Sequence, residues 1–371
     1  MRERVSEGGY NVAMRRTDAA AIGVVFLAAA TGVYAGQQEG RISSTMRSRT
    51  GLTDVPGIKV GHVTRSERPT GCTVILAEAG AVAGVDVRGS APGTIETDLL
   101  NPVNLVQQVH GVFLSGGSAF GLDVATGVRK YLYERKIGFE TRVAKVPIVP
   151  GAILFDLGVG NRPDIWPTAD CGYRAAAAAT DGDVDEGNVG AGAGATVGKT
   201  GSGAMKGGLG TASITVAVGP NVALIVAAIV AVNAVGDVID PSTGAVVAGA
   251  LAPDGKTFAD ARKLLRGGAQ PASKVGQNTT IGVIATNARL TKVQATKVAQ
   301  MAQDGLARAI YPAHTMGDGD VVFALATGGI DNDDVSRIGA LAADAMVEAI
   351  LRAVRAAKSI PGFPAAGDIG R

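Results

Sequence analysis

Apolar positions along this chain fall into short extended runs and into stripes at helical spacing, divided by polar, Gly-rich stretches. Residues 73–77 and 82–87 read as two strands joined by a turn, and a loop carrying Pro92, Gly93 and Pro102 follows. The apolar run 109–114 predicts a strand. Ser115-Gly116-Gly117-Ser118 turns it into a helix to about Glu134, with Ser118 as the expected cap, so this region is one β-turn-α unit. Residues 145–154 read as extended, and the Ala-rich stretch 171–180 as helical. Two strands over 211–218 and 222–232 are separated by Gly219-Pro220-Asn221, which predicts a hairpin.

The polar segment 241–277, broken by Gly and Pro, shows helical character only near 258–265 and reads as an exposed connection that would tolerate a chain break at its end. Beyond it the pattern is regular. Residues 280–286 predict a strand, and 293–310 place Val298, Met301, Ala302, Leu306 and Ala309 on one helical stripe. Residues 321–327 predict another strand, and Asp331, Asp333 and Asp334 then cap a long helix to about Lys358. Hairpins early and β-α-β-α late predict an α/β protein whose helices cover a layered sheet assembly.

The composition is that of a folded chain with a sizeable core: 371 residues, 46% of them hydrophobic, with 53 glycines and few aromatics, which favours close-packed layers. With 35 basic and 33 acidic residues spread along the chain, no electrostatic footprint invites nucleic acid, and no such partner is expected. Cys72 and Cys171 are too few for a disulfide framework or a cysteine-rich zinc site and are expected to be small core residues. Residues 1–50 stand apart as a leader. The uncharged run 19–35 follows Arg15 and Arg16 and ends Val33-Tyr34-Ala35-Gly36, as an export signal starting at Met14 would. A dispensable extension on a cytoplasmic enzyme, starting at Met1 or Met46, is the equal expectation. A run interrupted by Gly23, Thr31 and Gly32 falls short of the about 20 apolar residues of a stable membrane span.

Several motifs fail on inspection. Gly198-Lys199-Thr200 looks like the end of a phosphate-binding loop, but the required first glycine is Ala193, and the glycines that follow cannot form the helix that would hold phosphate. Gly116-Gly117-Ser118-Ala119-Phe120-Gly121 misses both the dinucleotide spacing and the nucleophile elbow. His62, His110 and His314 lie in unrelated contexts and are read as structural, although His314 is near an acidic loop. No cofactor and no metal are expected.

At 276–289 the polar connection ends abruptly at a threonine, Gly276-Gln277-Asn278-Thr279-Thr280-Ile281, on the lip of a strand. From these residues alone Thr279 is a β-branched strand start. Ordered motifs elsewhere change its meaning. Gly51-Leu52-Thr53-Asp54-Val55-Pro56-Gly57, Ser115-Gly116-Gly117-Ser118-Ala119-Phe120-Gly121-Leu122, Gly192-Ala193-Gly194, Gly198-Lys199, Asn278-Thr279-Thr280-Ile281 and Gly317-Asp318-Gly319-Asp320 together resemble the DmpA-type aminopeptidase family. That family includes β-aminopeptidases and the nylon-oligomer (6-aminohexanoate oligomer) hydrolases, which the motifs resemble most.

The resemblance implies a four-layer αββα sandwich, 51–371, made as one precursor that cuts itself between Asn278 and Thr279 into chains 51–278 and 279–371 and assembles as a homotetramer. It implies Thr279 as the nucleophile, Lys199 as the catalytic lysine, Asn233 as the oxyanion donor, and Asp318 with Asp320 as the carboxylates that orient Lys199 and the threonine amine. The residue types suit this chemistry. A threonine hydroxyl needs a nearby base, and a threonine that begins a chain carries one in its α-amino group. That amine titrates near about 7.7–8.0, and a neighbouring ammonium from Lys199 would lower it. Asp318 and Asp320 by themselves would also suit a turn, and two carboxylates are few for calcium.

Phe155 stands where the nylon-oligomer enzyme has a tyrosine beside its substrate, so one donor is lost. The implied substrate is a small peptide, an amino-acid amide or an ω-amino-acid oligomer. Acyl transfer to an amine, as in ornithine acetyltransferase, whose topology is related, is the enzyme alternative. An uncleaved, inert binding protein is the non-enzyme alternative.

Overall fold

The computed structural model describes residues 50–268 and 278–369. The expected leader, apart from Thr50, and the last residues of the connection before Asn278 lie outside them. Eight strands organise the fold: β1 (Lys59–Arg65), β2 (Thr70–Val87), β3 (Gln108–Ser115), β4 (Gly151–Ile153), β5 (Gly208–Gly219), β6 (Val222–Val232), β7 (Ile281–Ala288) and β8 (Val321–Ile330). The four longest helices among the described residues accompany them: α1 (Val124–Glu134), α2 (Ala169–Ala177), α3 (Lys292–Ala309) and α4 (Val335–Ala356). With the short strand Thr94–Ile95 at its edge, the hydrogen-bonded order is β5-β6-β7-β8-β2-β3-β4, and β1 pairs with β2.

The expected turn between two strands at 78–81 is instead a bend within β2. Its first half pairs with β1 and β3 and its second half, Val82–Val87, with β8, and the register to β3 breaks between Leu76 and Ala81. Gly80 takes φ +87° there, a conformation that costs glycine least. One strand thereby belongs to two sheet layers.

Side-chain alternation then sorts the layers. Ile75, Val112 and Leu114 from one side and Ile229, Val283 and Phe323 from the other share the inner core between the sheet layers. Their sequence neighbours point outward: Val74 and Phe113 pack with Val128 of α1 and Ala175 of α2, whereas Val230, Ile284 and Val322 pack with Leu306 of α3 and Met346 of α4. Every inner strand is therefore apolar on both faces, which requires helices outside both layers. The order α-β-β-α is the four-layer sandwich implied by the resemblance.

Local chemistry sets the helix ends. Thr291 and Gln294 form a reciprocal capping box on α3, and the Asp334 carboxylate accepts the Arg337 amide at the start of α4, as the acidic run predicts. Ser118 does not act as a cap. It sits at φ +54° in a 3-10 turn without a side-chain capping bond, because the turn is fixed through the backbone, Ser118 N–H donating to Leu154 O. The described part of the 241–277 connection is also less exposed than expected. Asp237–Ile239 and Val246–Ala248 pair as strands, and Ala250, Leu251 and Ala261 are buried. Cys72 and Cys171 are core residues, as expected, yet they are joined as a disulfide that ties β2 to α2. A sequence separation of 99 carries no signal of that pairing. Among the described residues no helix is long and apolar enough to cross a membrane.

Candidate active site

Sheet register assembles the site. β7 and β8 are parallel neighbours, Ile281 opposite Val321, so the residues just before each strand lie side by side, and Asn278 bridges Asp318. β6 runs antiparallel to β7 with Ala231 opposite Ile281, which carries Asn233 to Thr279. The Thr279 amide donates to Asn233 O at 2.8 Å. Beyond Asn233 the chain pairs with the glycine-rich loop, Lys199 N–H donating to Val235 O and Gly198 N–H to Gly236 O. Lys199, Asn233, Thr279, Asp318 and Asp320 are thus brought together from four separate stretches of sequence.

The peptide between Asn278 and Thr279 is held at its carbonyl oxygen by two donors. Asn278 O accepts the Gly319 amide at 2.9 Å and also the Thr279 Oγ1 hydroxyl. Asn278 is fully buried and Thr279 nearly so. Gly319 comes so close that a Cβ there would lie 2.8 Å from Thr279 Oγ1 and 2.4 Å from Ala91 O.

Asn233 is the hub. Its Oδ1 accepts Lys199 Nζ at 2.9 Å and Thr196 N–H at 3.0 Å, which fixes the amide orientation, and its Nδ2 donates to Phe155 O at 3.1 Å. Burial pushes the Lys199 amine down to about 7, against the opposing pull of the Asp318 and Asp156 charges. A lysine at that value changes protonation near neutrality, as an acid–base group must.

Neither acidic residue bonds the lysine. Asp318 Oδ2 accepts Thr315 N–H and Oγ1–H, and burial, then the charge of Asp320, raises its carboxyl above the usual range. Asp320 Oδ1 accepts Thr280 N–H at 2.7 Å, and its Oδ2 accepts His314 N–H and faces His314 Nδ1 at 2.9 Å. The pair shapes the 314–320 loop and anchors the strand start after Thr279. His314 is therefore part of the site's framework, whereas His62, pushed down to about 4 by burial, bonds Thr73.

Two supports had no sequence signal. Asp156, next to Phe155, forms a buried ion pair with Arg68 at 2.8 Å and also accepts Gly117 N–H and Thr70 Oγ1–H. Lys206 is wholly buried, and its Nζ donates to the carbonyls of Gly192, Ala195 and Gly207 at 2.8–3.0 Å, clamping the turn that leads into Thr196. Among the described residues no group of three or more His, Cys, Asp or Glu is placed to hold a metal ion.

Comparison with known proteins gives this geometry its relatives. The model of peptidase family S58 matches residues 50–366. An uncharacterized aminopeptidase of Mycobacterium leprae is 43% identical over 84% of this chain and 92% of its own length. A 6-aminohexanoate-oligomer endohydrolase of Kocuria sp. is 31% identical over 81% of this chain and 85% of its own. Among solved structures, the L-aminopeptidase D-Ala-esterase/amidase of Ochrobactrum anthropi, a variant of the Ntn hydrolase fold, superposes with a TM-score of 0.65 at 20% identity, over 85% of this chain and 90% of that one. A Burkholderia sp. β-aminopeptidase does so with 0.60 at 25%, over 85% and 89%. A sandwich of this topology, with matches of such extent, makes the chain a member of peptidase family S58, the DmpA and β-aminopeptidase family, and hence a peptidase or amidohydrolase.

Proposed function

We propose that the protein cuts itself once, between Asn278 and Thr279, and that the freed Thr279 is the nucleophile with which it hydrolyses small peptides, amino-acid amides or ω-amino-acid oligomers. One observation carries this reading. The Asn278 carbonyl oxygen receives both the Gly319 amide and the Thr279 hydroxyl, so attacking group and oxyanion donor already converge on one peptide bond.

In the precursor the Thr279 nitrogen is an amide and cannot serve as base. Lys199, held near neutrality by burial, takes the hydroxyl proton as Oγ1 attacks the Asn278 carbonyl carbon. The C–N bond breaks, the nitrogen gains that proton, and an ester joins Asn278 to Thr279. Water opens the ester and releases the Asn278 carboxylate.

In the processed enzyme the Thr279 amine is the base for its own hydroxyl, and the same oxygen forms an acyl ester with substrate. Gly319 N–H and the second Nδ2 hydrogen of Asn233, whose first is held by Phe155 O, are the donors for the developing oxyanion. Asp320 fixes Thr280 and with it the direction of the nucleophile.

Intact mass and amino-terminal sequencing of purified protein test the reading. Two polypeptides are expected, the smaller beginning at Thr279, and a Thr279→Ala variant should remain one inert chain. Full activity in an unbroken chain, or in Thr279→Ala, would overturn it.

A further inference from the structure

Beside Lys199 lies a cavity of about 210 Å³, below the roughly 300–1,000 Å³ of drug-sized ligand sites and so suited to a single small group. It adjoins the nucleophile through one residue. Thr196 and Lys199, on its floor, both donate to Asn233 Oδ1, Phe155 on its wall accepts from Asn233 Nδ2, and Asn233 O holds the Thr279 amide. A substrate carbonyl placed at Thr279 would send its acyl substituent here.

The walls are apolar: Phe155, Val159, Ala204 and Phe363. Phe363 comes from the segment after α4, far from every motif that carries the family resemblance. That segment is fastened in place, since Ile360 and Phe363 exchange backbone hydrogen bonds and Lys206 N–H donates to Pro364 O at 2.9 Å. The backbone that carries the ring is thus held against the cavity.

Charge decides what can enter. The lining holds a single carboxylate, Asp156, and it is committed: Oδ1 accepts from Arg68 and Gly117, Oδ2 accepts from Thr70, and the side chain is 0% exposed. The other ionisable group in the lining is Lys199, which offers a substrate ammonium no counter-charge. An ammonium seated here would lose its water without gaining a carboxylate, which disfavours it.

We infer that this cavity is the acyl-side specificity pocket, that it takes an uncharged apolar acyl group, and that Phe363 is a specificity-determining residue. The inference rests on the hydrolase reading above and narrows it: the scissile amide's acyl component enters with its amine acylated or absent. Internal bonds of peptides or oligomers, and simple acyl amides, fit this class, whereas release of a residue with a free amino terminus does not.

The test uses processed enzyme at pH 7, where free amines are protonated. Substrates are p-nitroanilides of N-acetylalanine and alanine, and of hexanoic and 6-aminohexanoic acid. In each pair the uncharged member should have a kcat/KM higher by about tenfold or more. Phe363→Ala should lower the ratio of hexanoyl to N-acetylalanyl anilide turnover about tenfold, and Phe363→Asp should shift preference toward 6-aminohexanoyl anilide. Preference for the free-amine members by the native enzyme overturns the inference and leaves the hydrolase reading standing. Unaltered ratios in both correctly processed Phe363 variants also overturn it. Cleavage of none of the anilides by processed enzyme removes both.

Discussion

The Gly319 amide nitrogen lies 2.9 Å from the carbonyl oxygen of Asn278, across the paired beginnings of β8 and β7. No side chain makes this contact; the parallel register of two strands makes it, with Asn278 bridged to Asp318 one residue away. A backbone donor positioned by a sheet is rigid, which suits a group that must meet charge developing on a carbonyl.

Gly319→Ala tests that arrangement. The added methyl would fall 2.4 Å from Ala91 O and 2.8 Å from Thr279 Oγ1, so either the loop or the threonine must move. A displacement of about 1 Å costs on the order of 100-fold in rate, and self-cleavage should slow accordingly. Gel analysis of chain processing over time reads this directly. Circular dichroism on the same sample separates loss of processing from loss of fold.

Processing should follow the titration of Lys199. With its amine near 7 and the neutral form acting as base, the rate should fall about tenfold for each pH unit below 7 and level off above it. Lys199→Arg keeps the charge but cannot give it up near neutrality, so it should block processing across the range, as should Lys199→Met. A fully processed Lys199→Arg chain would assign the base elsewhere.

Much of this architecture was legible in the sequence because its strands and helices are long and regular. The hairpin around Gly219-Pro220-Asn221 and the β-α-β-α end emerged nearly as read, and the family resemblance pointed to Lys199, Asn233, Thr279, Asp318 and Asp320 as candidates, which the fold brings together. What escaped depends on partners far apart in the chain. A glycine at position 80 looks like a turn, and only pairing of β2 with strands on both sides of the bend shows one continuous strand. Gly319 acts through an amide that every residue but proline carries, so its motif marks a close approach without revealing the donor. Lysine is normally read as solvated, which hid Lys206. Phe363 sits in a Pro- and Gly-rich tail that has no periodicity to mark it.

Asp156 is predicted to be a strong stability determinant. Asp156→Ala would leave the Arg68 guanidinium buried without its counter-charge, and would strip Gly117 N–H and Thr70 Oγ1 of their acceptor. Breaking one side of a buried pair costs about 3–5 kcal/mol, to be read from the midpoint of urea unfolding. Because the same carboxylate borders Phe155, whatever folded enzyme remains should also have a raised KM. A loss below about 1 kcal/mol would place Arg68 in contact with water, contrary to its full burial.

Lys206 offers a prediction whose sign depends on pH. Burial pushes its amine down to about 7 from 10.5, with only the charge of Asp156 pulling the other way. The unfolded chain therefore binds this proton up to about 10.5 while the folded chain releases it above about 7, and stability should rise with pH between those values. Lys206→Met removes the gradient, and it also leaves the Gly192, Ala195 and Gly207 carbonyls without this donor. At pH 9 the variant should be less stable by about 2–3 kcal/mol, and the deficit should shrink as pH falls to 6. Lys199 contributes the same slope to both proteins, so their difference isolates Lys206. A deficit that stays constant from pH 9 to pH 6 would mean that the three carbonyls hold the ammonium form and that the clamp, rather than burial, sets its protonation.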